Sequence, residues 1–151
     1  MAADEDEELQ PGVIVAVLKK HDVSYVIVGS FGAITQGVDL PMTDIDIVPS
    51  LDEENLKHLA KALDELGIES KRDATEDIRS ELLADPSVIR DTTFWNFSTP
   101  HGGVDLVLQP SGFPEGFDAL IANAKVVEIV DPEDASSTLE AIVADVRDIY
   151  E

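Results

Sequence analysis

The sequence predicts an α/β (α+β) fold: a mixed β-sheet with helices packed largely on one face. Three observations predict it. Short runs rich in β-branched residues recur at Tyr25–Val28, Asp44–Val48, Val104–Gln109 and Val126–Val130. Segments with apolar residues at helical spacing alternate with them. A turn at Pro100-His101-Gly102-Gly103 joins two β-like runs as a hairpin, so the sheet is not purely parallel.

The elements follow in order. Pro11-Gly12 opens a helical pattern, with Val13, Val17 and Lys20 on one side and Ile14, Leu18 and His21 beside them. Ser24 to Val28 reads as a buried strand that Gly29 ends. Ser30 is then an N-cap for a short helix through Gln36, because its hydroxyl can accept a free backbone N–H. Residues 37–42 read as a loop and Asp44 to Val48 as the second strand. Ser50-Leu51-Asp52-Glu53 has the form of a capping box. The helix after it carries Leu56, Leu59, Ala60, Leu63 and Leu66 and stops at Gly67. Ile68 to Arg72 reads as a short edge strand. Thr75 to Leu83 has a weaker helical pattern that ends before Pro86. Thr92 to Ser98 reads as the strand before the hairpin turn, and Glu115 to Ala124 as helical. Val126 to Val130 is expected to be the last strand. Asp131-Pro132-Glu133 is expected to open a final helix with Leu139, Ile142, Val143, Val146, Ile149 and Tyr150 on one face.

A chain of 151 residues, 44% of them hydrophobic, suits one domain with one core. Residues 1–10 read as an acidic, solvated, disordered tail and 11–151 as that domain. There is no cysteine, so neither a disulfide framework nor a thiolate zinc site is available. No apolar run approaches the roughly 20 residues that span a membrane. The acidic start Asp4-Glu5-Asp6-Glu7-Glu8 is unlike a secretory or mitochondrial leader, and a cytoplasmic location is expected. The formal charge is −22, from 32 acids against 10 bases. Such a chain repels nucleic-acid backbone, so weak generic binding to RNA or DNA is expected. The acidity fits either a salt-adapted surface or a basic protein partner.

Three aspartates interrupt the apolar runs. Asp44 and Asp46 alternate with Ile45 and Ile47, so on a strand both carboxylates share one face while the isoleucines enter the core. Two same-face carboxylates repel each other and resist burial. A divalent cation is the simplest relief. Asp105, from a neighbouring strand, would complete an all-oxygen site suited to Mg²⁺ or Mn²⁺. Taken singly, each acid has an ordinary explanation: a turn cap, a partner for a lysine, a solvent-facing hairpin position.

The order Gly29-Ser30, then Asp44-x-Asp46, then Asp105 resembles the signature of the DNA polymerase beta-type nucleotidyltransferase superfamily. The run Val28-Gly29-Ser30-Phe31-Gly32-Ala33, with Gly37 ahead of Asp44, is similar to that of small bacterial and archaeal nucleotidyltransferase-like proteins. That group includes minimal nucleotidyltransferases and AbiE-type toxins of toxin–antitoxin pairs. Gly102 to Val107, followed by Pro110-Ser111-Gly112-Phe113, fits it too, and the resemblance covers residues 13 to 130. It implies a nucleotidyltransferase-like sheet. It implies transfer of NMP from an NTP to a hydroxyl on a small molecule, a protein or an RNA. Asp44 and Asp46 would bridge two metal ions. Asp105 would hold the one nearer the attacking hydroxyl and help take its proton. Gly29 and Ser30 would receive phosphate where a helix begins.

The sequence departs from that pattern where relatives often carry His before Gly37 and Arg after it. Here Gln36 and Leu40 stand, and the final segment has only Arg147 as a base. Lys71, Arg72, Arg79 and Arg90 are then the candidates for triphosphate or acceptor contacts. His101 reads as a turn residue within reach of the site mouth, and His21 and His58 as surface. Gly32 and Gly37 read as packing and turn glycines. Phe94, Trp95 and Phe97 read as core, with one ring face available to a base. The alternative to an enzyme is a catalytically weak binding partner of the same fold, such as an antitoxin for a basic toxin.

Overall fold

The computed structural model describes residues 10–28, 44–70, 78–109 and 116–144. The elements are α1 (Pro11–Lys20), β1 (Tyr25–Val28), β2 (Asp44–Pro49), α2 (Glu53–Leu66), β3 (Glu69–Ser70), α3 (Ile78–Ala84), a 3₁₀ turn (Pro86–Asp91), β4 (Phe94–Thr99), β5 (Gly102–Val107), α4 (Phe117–Leu120) with a second 3₁₀ turn (Ile121–Asn123), β6 (Lys125–Asp131) and β7 (Asp134–Val143). The strands form one mixed sheet in the order β3-β4-β5-β2-β1-β7-β6. β2 runs parallel to β5, β1 runs parallel to β7, and the other neighbours are antiparallel.

Alternation along the strands divides the sheet into two faces. Ile27, Ile45, Ile47, Val104 and Leu106 turn to one side and pack against Ile14 and Leu18 of α1 and Leu56, Leu59 and Leu63 of α2. This is the main core, and it also takes Ile78 and Leu82 of α3 and Ile89. The other face has a smaller cluster of Val26, Val48, Leu120 and Ala144, with Phe117 of α4 against it. The expectation of helices largely on one face is met, with short α4 as the exception. Among the described residues no helix is long and apolar enough to cross a membrane.

Asn55 ties the layers together. It is buried on α2, accepts a hydrogen bond from the Ser24 N–H (2.7 Å) and donates from Nδ2 to the carbonyls of Ser24 (3.0 Å) and Ser50 (2.7 Å). One side chain thus fixes the entry to β1, the exit from β2 and the first turn of α2. Tyr25, in the core, has its hydroxyl pushed up to about 12 by burial, partly offset by a hydrogen bond with the Ile142 backbone.

Three readings of the sequence need correction. The residue before α2 is Asp52 rather than Ser50, and no side chain caps its N-terminus; the Ser50 hydroxyl accepts weakly from the Asp52 N–H at 3.4 Å. The end of α2 is as expected, with Gly67 at φ +75°, a conformation that a Cβ would strain. The largest correction is the expected final helix: residues 134–143 are strand β7, and Val126–Val130 is therefore not the last strand. Asp131-Pro132-Glu133 makes a tight turn instead of a helix start, with the Glu133 N–H donating to Asp131 Oδ1 (2.9 Å). Asp134 Oδ1 then accepts from the Ser136 N–H (3.0 Å) and hydroxyl (2.6 Å), and Oδ2 accepts from the Ser137 hydroxyl (3.0 Å). These side chains satisfy the backbone locally and compete with a first helical turn. The third concerns Phe94, which is 51% exposed, whereas Phe97 is fully buried as expected. Trp95 is half-buried, stacks on Phe97 at 5.7 Å and donates from Nε1 to the Ile89 carbonyl (2.8 Å).

Candidate functional site

The three aspartates occupy the face of the sheet opposite α1, α2 and α3. β2 alternates as the sequence requires: Ile45 and Ile47 are buried in the main core while Asp44 and Asp46 lie half-exposed on the other side. β5 runs beside it in parallel, with Asp44 level with Gly103 and Asp46 level with Asp105. Adjacent strands are about 4.8 Å apart, so the Asp46 and Asp105 side chains leave neighbouring backbones at the same level. One transverse row therefore reads Asn96, Asp105, Asp46, Val28 across β4, β5, β2 and β1.

Asp105 is the buried member, 7% exposed. Burial without compensation would disfavour its charge. Asn96 supplies part of the compensation, donating from Nδ2 to Asp105 Oδ1 at 2.6 Å. Asn96 escaped the sequence reading, although a signal was present. A two-residue turn at Pro100-His101 sets the hairpin register, and counting back from Thr99 opposite Gly102 brings Asn96 opposite Asp105. Phe94 lies two residues further along the same face of β4, level with Val107. An exposed ring on that face is a flat apolar surface near the acids.

Among the described residues no group of three or more His, Asp or Glu side chains is placed to hold a metal ion. The Asp46–Asp105 pair by itself has the chemistry for a hard divalent cation, since it is all oxygen, level across two strands and partly buried. Mg²⁺ is commonly held by one or two carboxylates, its remaining positions filled by water and substrate phosphate. The Asp46–Asp105 pair meets that requirement, with Asp44 beside it on the same strand face.

Gly29 and Ser30 lie outside the described residues, as do Gly32, Gln36, Gly37, Leu40, Lys71, Arg72 and Arg147. β1 ends at Val28, level with Asp46. Arg79 and Arg90 are not brought to that face. Arg79 is exposed on α3, and Arg90 donates from Nη2 to the Leu51 carbonyl (2.6 Å); both belong to elements packed on the helix-covered side. His101 is a turn residue: its N–H donates to Thr99 Oγ1 (2.9 Å), and its Nδ1 lies 2.9 Å from Gln10 Oε1. His21 and Lys20 meet Glu65 at 2.8 and 3.1 Å, and hydrogen bonds from His21 and then Lys20 hold the Glu65 carboxyl below its ordinary range. His58 pairs with Glu54 at 3.4 Å.

A family model described as aminoglycoside-2''-adenylyltransferase matches residues 12–124, a span that contains all three acids. The fold is similar to the crystal structure of a candidate nucleotidyltransferase from Thermotoga maritima. The TM-score is 0.57 at 19% identity, and the match covers 95% of this chain and 84% of that one. No match was found among curated proteins.

Proposed function

We propose a function from one premise: the chain belongs to the family described as aminoglycoside-2''-adenylyltransferase, within the nucleotidyltransferase superfamily. The proposed reaction is metal-dependent transfer of a nucleotidyl group from an NTP, ATP by the family's description, to a hydroxyl of a small polycationic acceptor. The observation that carries it is the level pairing of Asp46 with buried Asp105 on parallel strands, with Asp44 on the same face. Maintaining two neighbouring carboxylates inside a sheet costs stability, and a site that gathers cations explains the cost. The formal charge of −22 supports the acceptor class, because it attracts an amine-rich molecule and repels a polyanionic one.

The acceptor oxygen forms a bond to the α-phosphorus, and the bond from that phosphorus to the bridging oxygen breaks. Pyrophosphate leaves with the electron pair. Asp46 and Asp105 would hold Mg²⁺ or Mn²⁺ with Asp44, and the bound ion would neutralise charge developing on the phosphate oxygens. Asp105, buried and oriented by Asn96, is suited to accept the proton of the attacking hydroxyl. Asn96 Nδ2, by donating to Asp105 Oδ1, fixes the orientation of that carboxylate. Phe94 offers its exposed ring to the base.

The test is an incubation with α-labelled NTPs and Mg²⁺ or Mn²⁺. The acceptors are an aminoglycoside panel, mixed tRNA and a basic protein. Labelled aminoglycoside that disappears with Asp46→Asn or Asp105→Asn supports the reading. Phe94→Ala should raise the nucleotide KM several-fold while changing kcat less. Label on tRNA or protein alone would overturn the acceptor class. No label on any acceptor, with no nucleotide binding by calorimetry, would leave the binding-partner reading in its place, such as an antitoxin in a toxin–antitoxin pair. The acidity is the observation that favours that second reading.

A further inference from the structure

The far edge of the sheet has a different character from the acid-bearing centre. β6 is the terminal strand, and among the described residues β7 is its only strand partner. An edge strand carries a row of N–H and C=O groups directed outward. Its inner face is covered: Val127 and Ile129 pack against the main core, and Gly12 of α1 lies against the Val130 carbonyl. Its other face is open, with Val126 58% and Val130 61% exposed. The side chain between those valines is Glu128, and its cross-strand neighbour on β7 is Glu140.

This arrangement is costly in the isolated chain. Two like charges directly opposite each other on a sheet are destabilising, and two exposed valines beside them gain nothing from burial. The seven-residue edge, charged at Lys125, Glu128 and Asp131 and with a register shift at Val130/Asp131, also has no strand beyond it among the described residues, and native proteins usually cover such an edge. One occupant removes all three costs. An added strand with apolar residues opposite Val126 and Val130, and a lysine or arginine opposite Glu128, would cover the valines, neutralise the glutamates and satisfy the edge backbone. We propose that β6 is a docking edge for an extended, alternating apolar segment of another protein with a basic residue at its centre, bound by strand addition. The proposal does not depend on catalysis at the aspartates. A second copy of this chain is the weaker occupant. Antiparallel pairing about Glu128 would align Val126 with Val130 of the other copy, but it would also set Glu140, Glu128 and their two equivalents in one row, between two molecules each of charge −22.

The test uses the full chain and two nine-residue peptides of alternating valine and threonine, one with a central lysine and the other with a central glutamate. Binding is followed by amide chemical shifts at low salt. The lysine peptide should shift residues 125–131 and bind at least tenfold more tightly than the glutamate peptide. Glu128→Lys, an exposed change, should reverse that order. Val126→Thr with Val130→Thr should weaken both peptides. Absence of shifts at 125–131, or the same order of affinity in the parent and in Glu128→Lys, overturns the proposal. Sedimentation of the chain alone provides the other arm: a concentration-dependent doubling of mass that Val130→Thr abolishes would assign the edge to a second copy and overturn the proposal as well.

Discussion

If Asp46 and Asp105 exist to gather cations, removing one of them should stabilise the metal-free protein and abolish its response to metal. The perturbation is Asp105→Asn, which keeps the shape and an Oδ1 acceptor for Asn96 Nδ2. The two carboxylates emerge at the same level from strands about 4.8 Å apart. At an effective dielectric of about 20, two unit charges some 5 Å apart repel by about 3 kcal/mol. Asp46 is half-exposed, and water and salt reduce that value, so a gain of about 1–3 kcal/mol is expected. For a chain of this size each kcal/mol moves Tm by roughly 2–4 °C. The assay is thermal unfolding in EDTA and in Mg²⁺ or Mn²⁺, with and without ATP. In EDTA, Asp105→Asn should melt several degrees above the parent. At about ten times the dissociation constant a single bound ion stabilises the parent by about 1.4 kcal/mol, and the variant should lose that increment. Asp46→Asn should behave in the same way. A variant that melts below the parent in EDTA, yet keeps the parent's full shift with metal, would refute the reasoning. The acids would then be structural and the metal bound elsewhere.

Asn55→Ala should cost about 2–4 kcal/mol, because the Ser24 N–H and the Ser50 carbonyl lose their side-chain partner inside the protein; urea unfolding measures it, and a loss under 1 kcal/mol would mean that water replaces the amide. Glu65 has a depressed carboxyl, so its pairing with His21 and Lys20 contributes stability above the ordinary value of 4.5, and that contribution is lost as pH falls through the folded value. The Tm gap between the parent and Glu65→Gln should therefore close at low pH; a gap that widens there contradicts the assignment. An anisotropy titration of mixed tRNA at about 150 mM salt should show no sub-micromolar binding, since counterion release requires several bases on one face. Tight binding would make tRNA the leading acceptor.

The centre of the sheet was legible because period-two alternation and burial agree there. Asp44-Ile45-Asp46-Ile47 can be solved as a strand in only one way, and the Pro100-His101 turn fixes β4 against β5. The level pairing of Asp46 with Asp105 was not legible, because the register of parallel strands depends on packing across 58 intervening positions rather than on a local turn. Phe94 was misread because composition alone does not say which aromatic of Phe94-Trp95-Asn96-Phe97 faces out. Once Phe97 is fixed in the core, alternation turns Phe94 and Asn96 to the other face.

The misread final helix yields the sharpest structural prediction. Leu139, Ile142, Val143 and Val146 fall on one helical stripe, so the helical period looked satisfied. Leu139, Ile142 and Val143 satisfy a strand equally well when Ala141 joins Leu139 and Val143 on the inner face, and Ala141 is indeed 0% exposed in the main core. The two readings disagree about position 141. On a helix it lies roughly opposite the apolar stripe and would accept a charge at little cost. On β7 it is buried, paired with Val127 of β6, and an unpaired carboxylate there costs more than about 4 kcal/mol. Ala141→Glu should therefore abolish cooperative unfolding or lower Tm by more than about 10 °C. Glu140→Ala, one residue away on the open face, should be neutral or mildly stabilising because it separates Glu128 from its like-charged neighbour. If Ala141→Glu melts like the parent, residues 134–143 are not the strand that closes this side of the sheet, and the docking edge on β6 loses the partner that holds it in place.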